Sequence, residues 1–325
     1  MMMPIRFTMV TSKYNTDHKK RMKKLALITL LVCTSSIYAQ QDEQMSLYMY
    51  NPLHFNPAYA GSRDATSLVA IGRFQWINFK GAPMTQWFSA HSPILHKSVG
   101  IGGHFVHDQI GDRERTSAYV DISSGIKLNK KEDRISAGLS FGVDAIGYDF
   151  SNAQVNDLSD PYFGQVASVT KPNIGAGIYY YGNKHFIGIS VPRLLEATTI
   201  SSIDNLPKLL NTRHFFISGG YVLDLNSVFK LKPSTLIKFT PGAPITADVN
   251  LSLLMYEKLW TGLMYRYHES MGVNVVYNIK NTFSFGYVYD FPINGLRTYQ
   301  SGSHELILQY DIRPKKSGLN SPRYF

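Results

Sequence analysis

The stretch Ile245–Met255, ITADVNLSLLM, alternates for most of its length. Its odd positions are Ile245, Ala247, Val249, Leu251, Leu253 and Met255, and between them stand Thr246, Asp248, Asn250 and Ser252. Side chains alternate faces along a strand, so this segment reads as a strand with one apolar and one polar face. The pattern recurs. Arg134–Ala145 sets Ile135, Ala137, Leu139, Phe141, Val143 and Ala145 against Arg134, Ser136, Gly138, Ser140, Gly142 and Asp144. Thr282–Asp290 sets Phe283, Phe285, Tyr287 and Tyr289 against Thr282, Ser284, Gly286 and Asp290.

Repeated alternation fits a soluble sandwich, which turns apolar faces inward, or a membrane barrel, which turns them out to lipid. Three features favour the barrel. The segments run to about ten residues, the length a tilted membrane strand needs, against five or six in most strands. The polar faces are rich in Gly, Ser and Asn, which suits a packed or wet lumen. Aromatics recur at segment ends: Tyr148 and Phe150, Tyr179–Tyr181, Tyr265 and Tyr267, Tyr287 and Tyr289. Such rings belong at a membrane–water interface. Segments centre near residues 70, 88, 102, 120, 140, 177, 187, 218, 234, 250, 263, 275, 286 and 307. The expected fold is all-β, a transmembrane antiparallel barrel of about 14 strands, an even count as single-chain bacterial barrels have. Gly182-Asn183 and Lys280-Asn281 read as hairpin turns. Ser151–Lys171, Pro192–Thr212 and Asp290–Ser301 read as long loops, with Pro192–Leu195 a candidate short helix. On this reading Leu251 faces lipid and Ser252 the lumen, so arginine is costly at the first and much cheaper at the second.

The chain begins with a different signal. Lys19, Lys20, Arg21, Lys23 and Lys24 precede the apolar Leu25–Val32, and Ala39 supplies a small residue for cleavage. That is the layout of a secretory signal peptide, too short to span a bilayer. Met22 would itself begin a normal signal, which makes 1–21 a candidate extension of the reading frame. Val32 ahead of Cys33 is too bulky for a lipoprotein site. Of 33 Lys and Arg and 23 Asp and Glu, residues 1–39 hold seven basic and one acidic, so the formal charge of +10 falls to +4 without them. That charge gives no reason to expect a nucleic-acid partner. Cys33, the single cysteine, leaves with the signal, so burial and strand pairing carry the stability. The expected organisation is a signal peptide over 1–39, a leader over 40–62, the barrel over 63–313 and a tail over 314–325.

The leader contains YNPLHFNPAYAGS, Tyr50–Ser62, with two Asn-Pro pairs. Proline lacks an N–H and pushes the residue before it out of the helical region, so this is neither an α-helix nor a central strand. Asn51 and Asn56 are placed to cap backbone groups beside Pro52 and Pro57. Two positions suit the leader, a plug inside the lumen or a turn-rich lead-in on the periplasmic rim. In either, Asn51, Pro52, Asn56, Pro57, Tyr59 and Gly61 are its structural or partner-binding residues.

Enzymatic signatures are poor. His304-Glu305 lacks a second His at zinc spacing. His104 and His107, three apart in a strand, face opposite sides. Gly175-Ala176-Gly177 and Gly100-Ile101-Gly102 open no helix after a parallel strand, so they read as places where another chain segment approaches closely. No catalytic, metal or cofactor site is expected.

The chain resembles the PorP/SprF family of type IX secretion outer-membrane proteins. The resemblance rests on MYNPLHFNPAYAGS (49–62), GAPMTQWFSAHSPI (81–94), PNIGAGIYYYGNKHFIGISVPRLLE (172–196), LKPSTLIKFTPGAPITADVNLSLLMYEKLWTGLMYR (231–266) and SGSHELILQYDIR (301–313). The tail past Arg313 departs from the pattern, which puts in doubt whether Phe325 or Tyr310-Asp311-Ile312 serves as the assembly signal. The resemblance implies an outer-membrane barrel that helps export a large secreted protein with a C-terminal sorting domain and holds it at the surface, some such partners being gliding adhesins. It also implies contact with other secretion components and supplies no catalytic residues. Leu206, Leu209 and Leu210, with Tyr162, Phe163, Phe291 and Leu296, are candidate loop contacts for the partner. The alternatives are a transport barrel for hydrophobic small molecules, which needs an apolar pocket, and a diffusion porin, which needs a charge-lined lumen.

Overall fold

The computed structural model describes residues 43–94, 98–129, 133–150, 166–199, 209–280, 282–313 and 324, and no side chains for 166–167, 197–199 and 209–211. The signal segment, Tyr162, Phe163, Leu206 and all of the tail except Tyr324 lie outside these residues.

Period-two patterning becomes one antiparallel sheet closed on itself. Seven strands come first: β1 (Thr66–Phe74), β2 (Met84–Ile94), β3 (Val99–Ile110), β4 (Arg113–Lys127), β5 (Arg134–Asp149), β6 (Val166–Tyr181) and β7 (His185–Val191). A small ribbon follows, β8 (Ala197–Thr199) with β9 (Leu209–Asn211), outside the barrel sheet. The barrel resumes with β10 (Phe215–Tyr221), which β11 (Leu223–Asp224) continues past the buried Val222. It completes with β12 (Phe229–Phe239), β13 (Thr246–Met255), β14 (Leu259–Arg266), β15 (Ser270–Ile279), β16 (Phe283–Pro292) and β17 (Ser303–Ile312). β1 pairs with β17, Thr66 opposite Ile312, and β10 pairs with β12 across the ribbon. The result is a closed barrel of 14 strands. All fourteen expected centres fall within its strands.

Burial follows the alternation. Val249 and Leu251 are half exposed on the outer face, while Asp248, Asn250 and Ser252 are buried inside. Strand β5 repeats this, with Leu139, Phe141 and Val143 outward and Ser136, Ser140 and Asp144 inward. An outer face of this composition is a lipid-facing band. Arginine in place of Leu251 is expected to cost about 2–4 kcal/mol near the bilayer midplane. Phenylalanine there should be nearly neutral, and denaturant unfolding in bilayers measures the difference. Ser252→Arg is not the cheap counterpart the alternation suggests. Ser252 is wholly buried, its hydroxyl donating to Asn250 Oδ1, and an arginine there meets a filled interior.

Connections differ at the two ends. Strands alternate in direction, so the four longest connections, after β1, β5, β7 and β16, leave and rejoin the sheet at strand ends of one mouth, as do three shorter links. At the other mouth the strands are joined by shorter links, such as 182–184, 225–228 and 256–258. β6 begins at Val166 and shortens the first expected loop, and Pro192–Leu195 forms no helix but an irregular approach to β8. In the third expected loop, Asp290 and Phe291 belong to β16 and a 3-10 turn spans Gly295–Thr298.

Candidate functional site

Residues 43–62 run through the interior of the barrel. Three single 3-10 turns, Tyr48–Tyr50, Pro52–His54 and Pro57–Tyr59, shape the segment. Each proline takes the first position of its turn, where no N–H is missed and φ is already suitable. Asn56 Oδ1 accepts from Ala58 N at 2.9 Å, the expected cap. Asn51 makes no such cap; its Oδ1 instead accepts from Ser89 Oγ of β2 at 2.8 Å. Asn51, Pro52, Asn56, Pro57, Tyr59 and Gly61 are all buried.

The inner wall satisfies the backbone that the irregular leader leaves open, as buried irregular backbone requires. Ser190 Oγ donates to Phe55 O, Ser136 Oγ to Ala58 O and Ser123 Oγ to Ala60 O, each at 2.7 Å. Asn56 Nδ2 donates to Ile178 O at 3.0 Å, and Gly61 N donates to His91 Nδ1 at 3.1 Å. The two Gly-rich pairs are steric in purpose. A Cβ at Gly177 would stand 2.1 Å from Asn56 Oδ1, and one at Gly100 would stand 2.1 Å from Ala60 O. At Gly61 a φ of 66° turns the leader toward β1, in a region that costs glycine nothing.

Contacts also fix the direction of travel. Residues Glu43–Leu47 meet the loop mouth, where β1 ends and β17 begins. Glu305 of β17 receives Ser46 N and Leu47 N on its two oxygens, both at 2.8 Å. Arg73 Nη1 lies 2.6 Å from Asp290 Oδ2, 3.0 Å from Glu305 Oε2 and 2.7 Å from Ser46 Oγ. Glu43 meets Arg115 at 3.2 Å and Arg193 at 3.4 Å. At the turn mouth, Arg63 meets Asp311 at 2.8 Å just before β1. The leader therefore crosses the lumen from the loop mouth to the turn mouth.

The interior holds more charge than its Gly- and Ser-rich sequence suggests. Besides the clusters above, Arg115 pairs with Asp144 at 2.9 Å, and Arg266 grips Asp248 through Nε and Nη2. These groups come singly from separate strands, Arg73 from β1, Arg115 from β4, Asp144 from β5, Asp248 from β13 and Arg266 from β14, so no one segment of sequence stands out as charged. Tyr179 and Tyr181 correct another expectation: they face inward, not to the membrane interface. Tyr179 packs edge-on against Tyr59 at 5.4 Å. Tyr265 and Tyr267 do lie exposed near the loop mouth.

The remaining motifs dissolve into wall contacts. His304 packs outward at a tilt against Tyr287 and Tyr289, while its neighbour Glu305 faces the leader. His104 bonds Asp121 at 2.8 Å and lies parallel to Tyr119, while His107 bonds Thr116 across the outer face. Of the loop candidates, Phe291 sits exposed on β16 and Leu296 within the 3-10 turn. Leu209 and Leu210 belong to β9.

A closed, lipid-banded barrel whose lumen is threaded by its own leader is an outer-membrane protein. The chain belongs to the type IX secretion system membrane protein PorP/SprF family, which matches residues 37–310. Among curated proteins none matches its sequence. Solved barrels resemble it more distantly. Omp33 of Acinetobacter baumannii shares 8% identity over 76% of this chain and 98% of its own, with a TM-score of 0.45. A Pseudomonas aeruginosa FadL homologue shares 11% over 80% and 94%, and the CymD monoaromatic hydrocarbon channel 11% over 83% and 94%, both at TM-score 0.47.

Proposed function

We propose that this barrel acts in type IX secretion as a docking and anchoring protein. In this reading it helps export a large secreted protein with a C-terminal sorting domain and holds it at the cell surface. An adhesin used in gliding fits that description. The observation that carries the reading is the occupied lumen: residues 43–62 fill the barrel and bond along its wall, acting as a plug. A solute then finds no open path, and the working surfaces are the two mouths. That weighs against transport of hydrophobic small molecules, which would need an apolar cavity within. The long connections gather at one mouth, the end that such barrels turn outward, so the surface partner docks there. The turn mouth faces other secretion components. The signal over 1–39 directs the chain to export and is cleaved after Ala39.

Deleting the gene is expected to abolish surface display of one sorting-domain protein while other type IX cargo is still secreted, as proteomics of cell surface and medium measures. Polar residues in place of Leu206, Leu209 and Leu210 are expected to release that partner into the medium with the barrel still assembled. A knockout that halts all cargo makes the protein core machinery, and one that changes no cargo refutes anchoring.

A further inference from the structure

Lys232 stands apart from the other buried cations of the lumen. Arg63, Arg73, Arg115 and Arg266 each meet a carboxylate. The side chain of Lys232 is just as buried, the residue being 1% exposed, yet no carboxylate pairs with it among the described residues. Its ammonium lies 4.4 Å from the centre of the Trp260 ring and 5.1 Å from that of Tyr50. Those rings attract a cation through their faces but accept no conventional hydrogen bond. Its one hydrogen bond among the described residues goes to the carbonyl oxygen of Tyr324, at 3.1 Å.

Tyr324 lies beyond the last strand, in the tail that departs from the family pattern. Its ring meets Trp260 edge-on at 6.5 Å, and Lys230 Nζ lies 5.3 Å from its centre. Lys230 is held there by Asp224 at 3.1 Å and Glu257 at 3.0 Å. These groups sit where β12 and β14 begin, at the turn mouth, the same end at which β17 finishes. A buried ammonium needs acceptors, and this one is served from the mouth instead of from the wall.

We propose that the turn mouth carries a receptor for an aromatic residue of a peptide segment, built from Lys230, Lys232 and Trp260 and filled in cis by Tyr324. The ring is taken between Trp260 and Lys230, and the backbone carbonyl by Lys232. Tethering by the short tail gives the docked residue an effective concentration of about millimolar, so the site stays filled by its own segment.

The test replaces Tyr324 with the photoreactive benzoylphenylalanine in the full-length barrel and maps its crosslinks. Crosslinks to the segments holding Lys230–Lys232 or Trp260, reduced at least tenfold by Lys232→Met in a barrel that still migrates as folded, are the expected result. If Lys232→Met fails to assemble, Trp260→Leu takes its place with the same expected loss. Crosslinks elsewhere, or a yield unchanged by the pocket substitution, overturn the proposal. Neither outcome bears on cargo anchoring, which is read at the other mouth.

Discussion

Deletion of Asn51–Gly61 is expected to turn a closed barrel into a conducting one in planar bilayers. Side chains fill an eight-stranded barrel, whereas barrels of 16 to 18 strands leave an aqueous channel. A barrel of 14 strands falls between them. Here the inward groups are also small along much of the wall: Ser123, Ser136, Ser190 and Gly177 lie where the leader passes. They leave a space that the leader occupies. Removing its middle takes away the carbonyls of Phe55, Ala58 and Ala60 that Ser190, Ser136 and Ser123 hold, and the remaining Tyr50 cannot span from the loop mouth to Arg63. Water then solvates the exposed hydroxyls and glycines, and ions follow. Steady channel openings in the deleted form and none in the wild type are the expected record. Equal conductance would mean that something other than the leader sets the permeability of the barrel.

Strand positions were legible because the period-two signal is local: each strand declares its apolar face within ten residues. Contacts across the lumen are not local. Ser46 bonds Glu305, and Arg73 joins Asp290 to both, which no window along the chain brings together. Parity would have helped with the tyrosines. Tyr179 and Tyr181 share a face with Gly177, so they point at whatever Gly177 makes room for, whereas a ring near a segment end looks like an interface anchor if parity is ignored. The leader itself was legible as proline-stiffened and irregular, since Asn-Pro restricts backbone angles directly. Its course was not, because that depends on wall groups from nearly every strand. The burial of Ser252 raises the cost to be expected of Ser252→Arg for the same reason: an alternating strand reports a polar face, and not whether water or protein fills the space before it.

The second large effect is expected at Arg73. Its guanidinium stands between Asp290 and Glu305, all three being 2% exposed or less. Arg73→Met keeps much of the volume but leaves two buried carboxylates with no cation between them. Breaking a buried pair in this way costs about 3–5 kcal/mol, because the orphaned charges have lost their compensation. Part of that loss falls on the leader, since Glu305 also holds Ser46 N and Leu47 N and Arg73 holds Ser46 Oγ. Repulsion between the carboxylates pulls this grip apart, so Arg73→Met is expected both to lower stability in urea and to let protease reach the leader from the loop mouth. Adding Asp290→Asn and Glu305→Gln to Arg73→Met removes the charges together and is expected to recover most of the stability, since neutral amides need no cation. Recovery separates an electrostatic clamp from simple packing: if the triple variant is as unstable as Arg73→Met, the loss comes from shape at this position and the ion pairs contribute little to holding the leader.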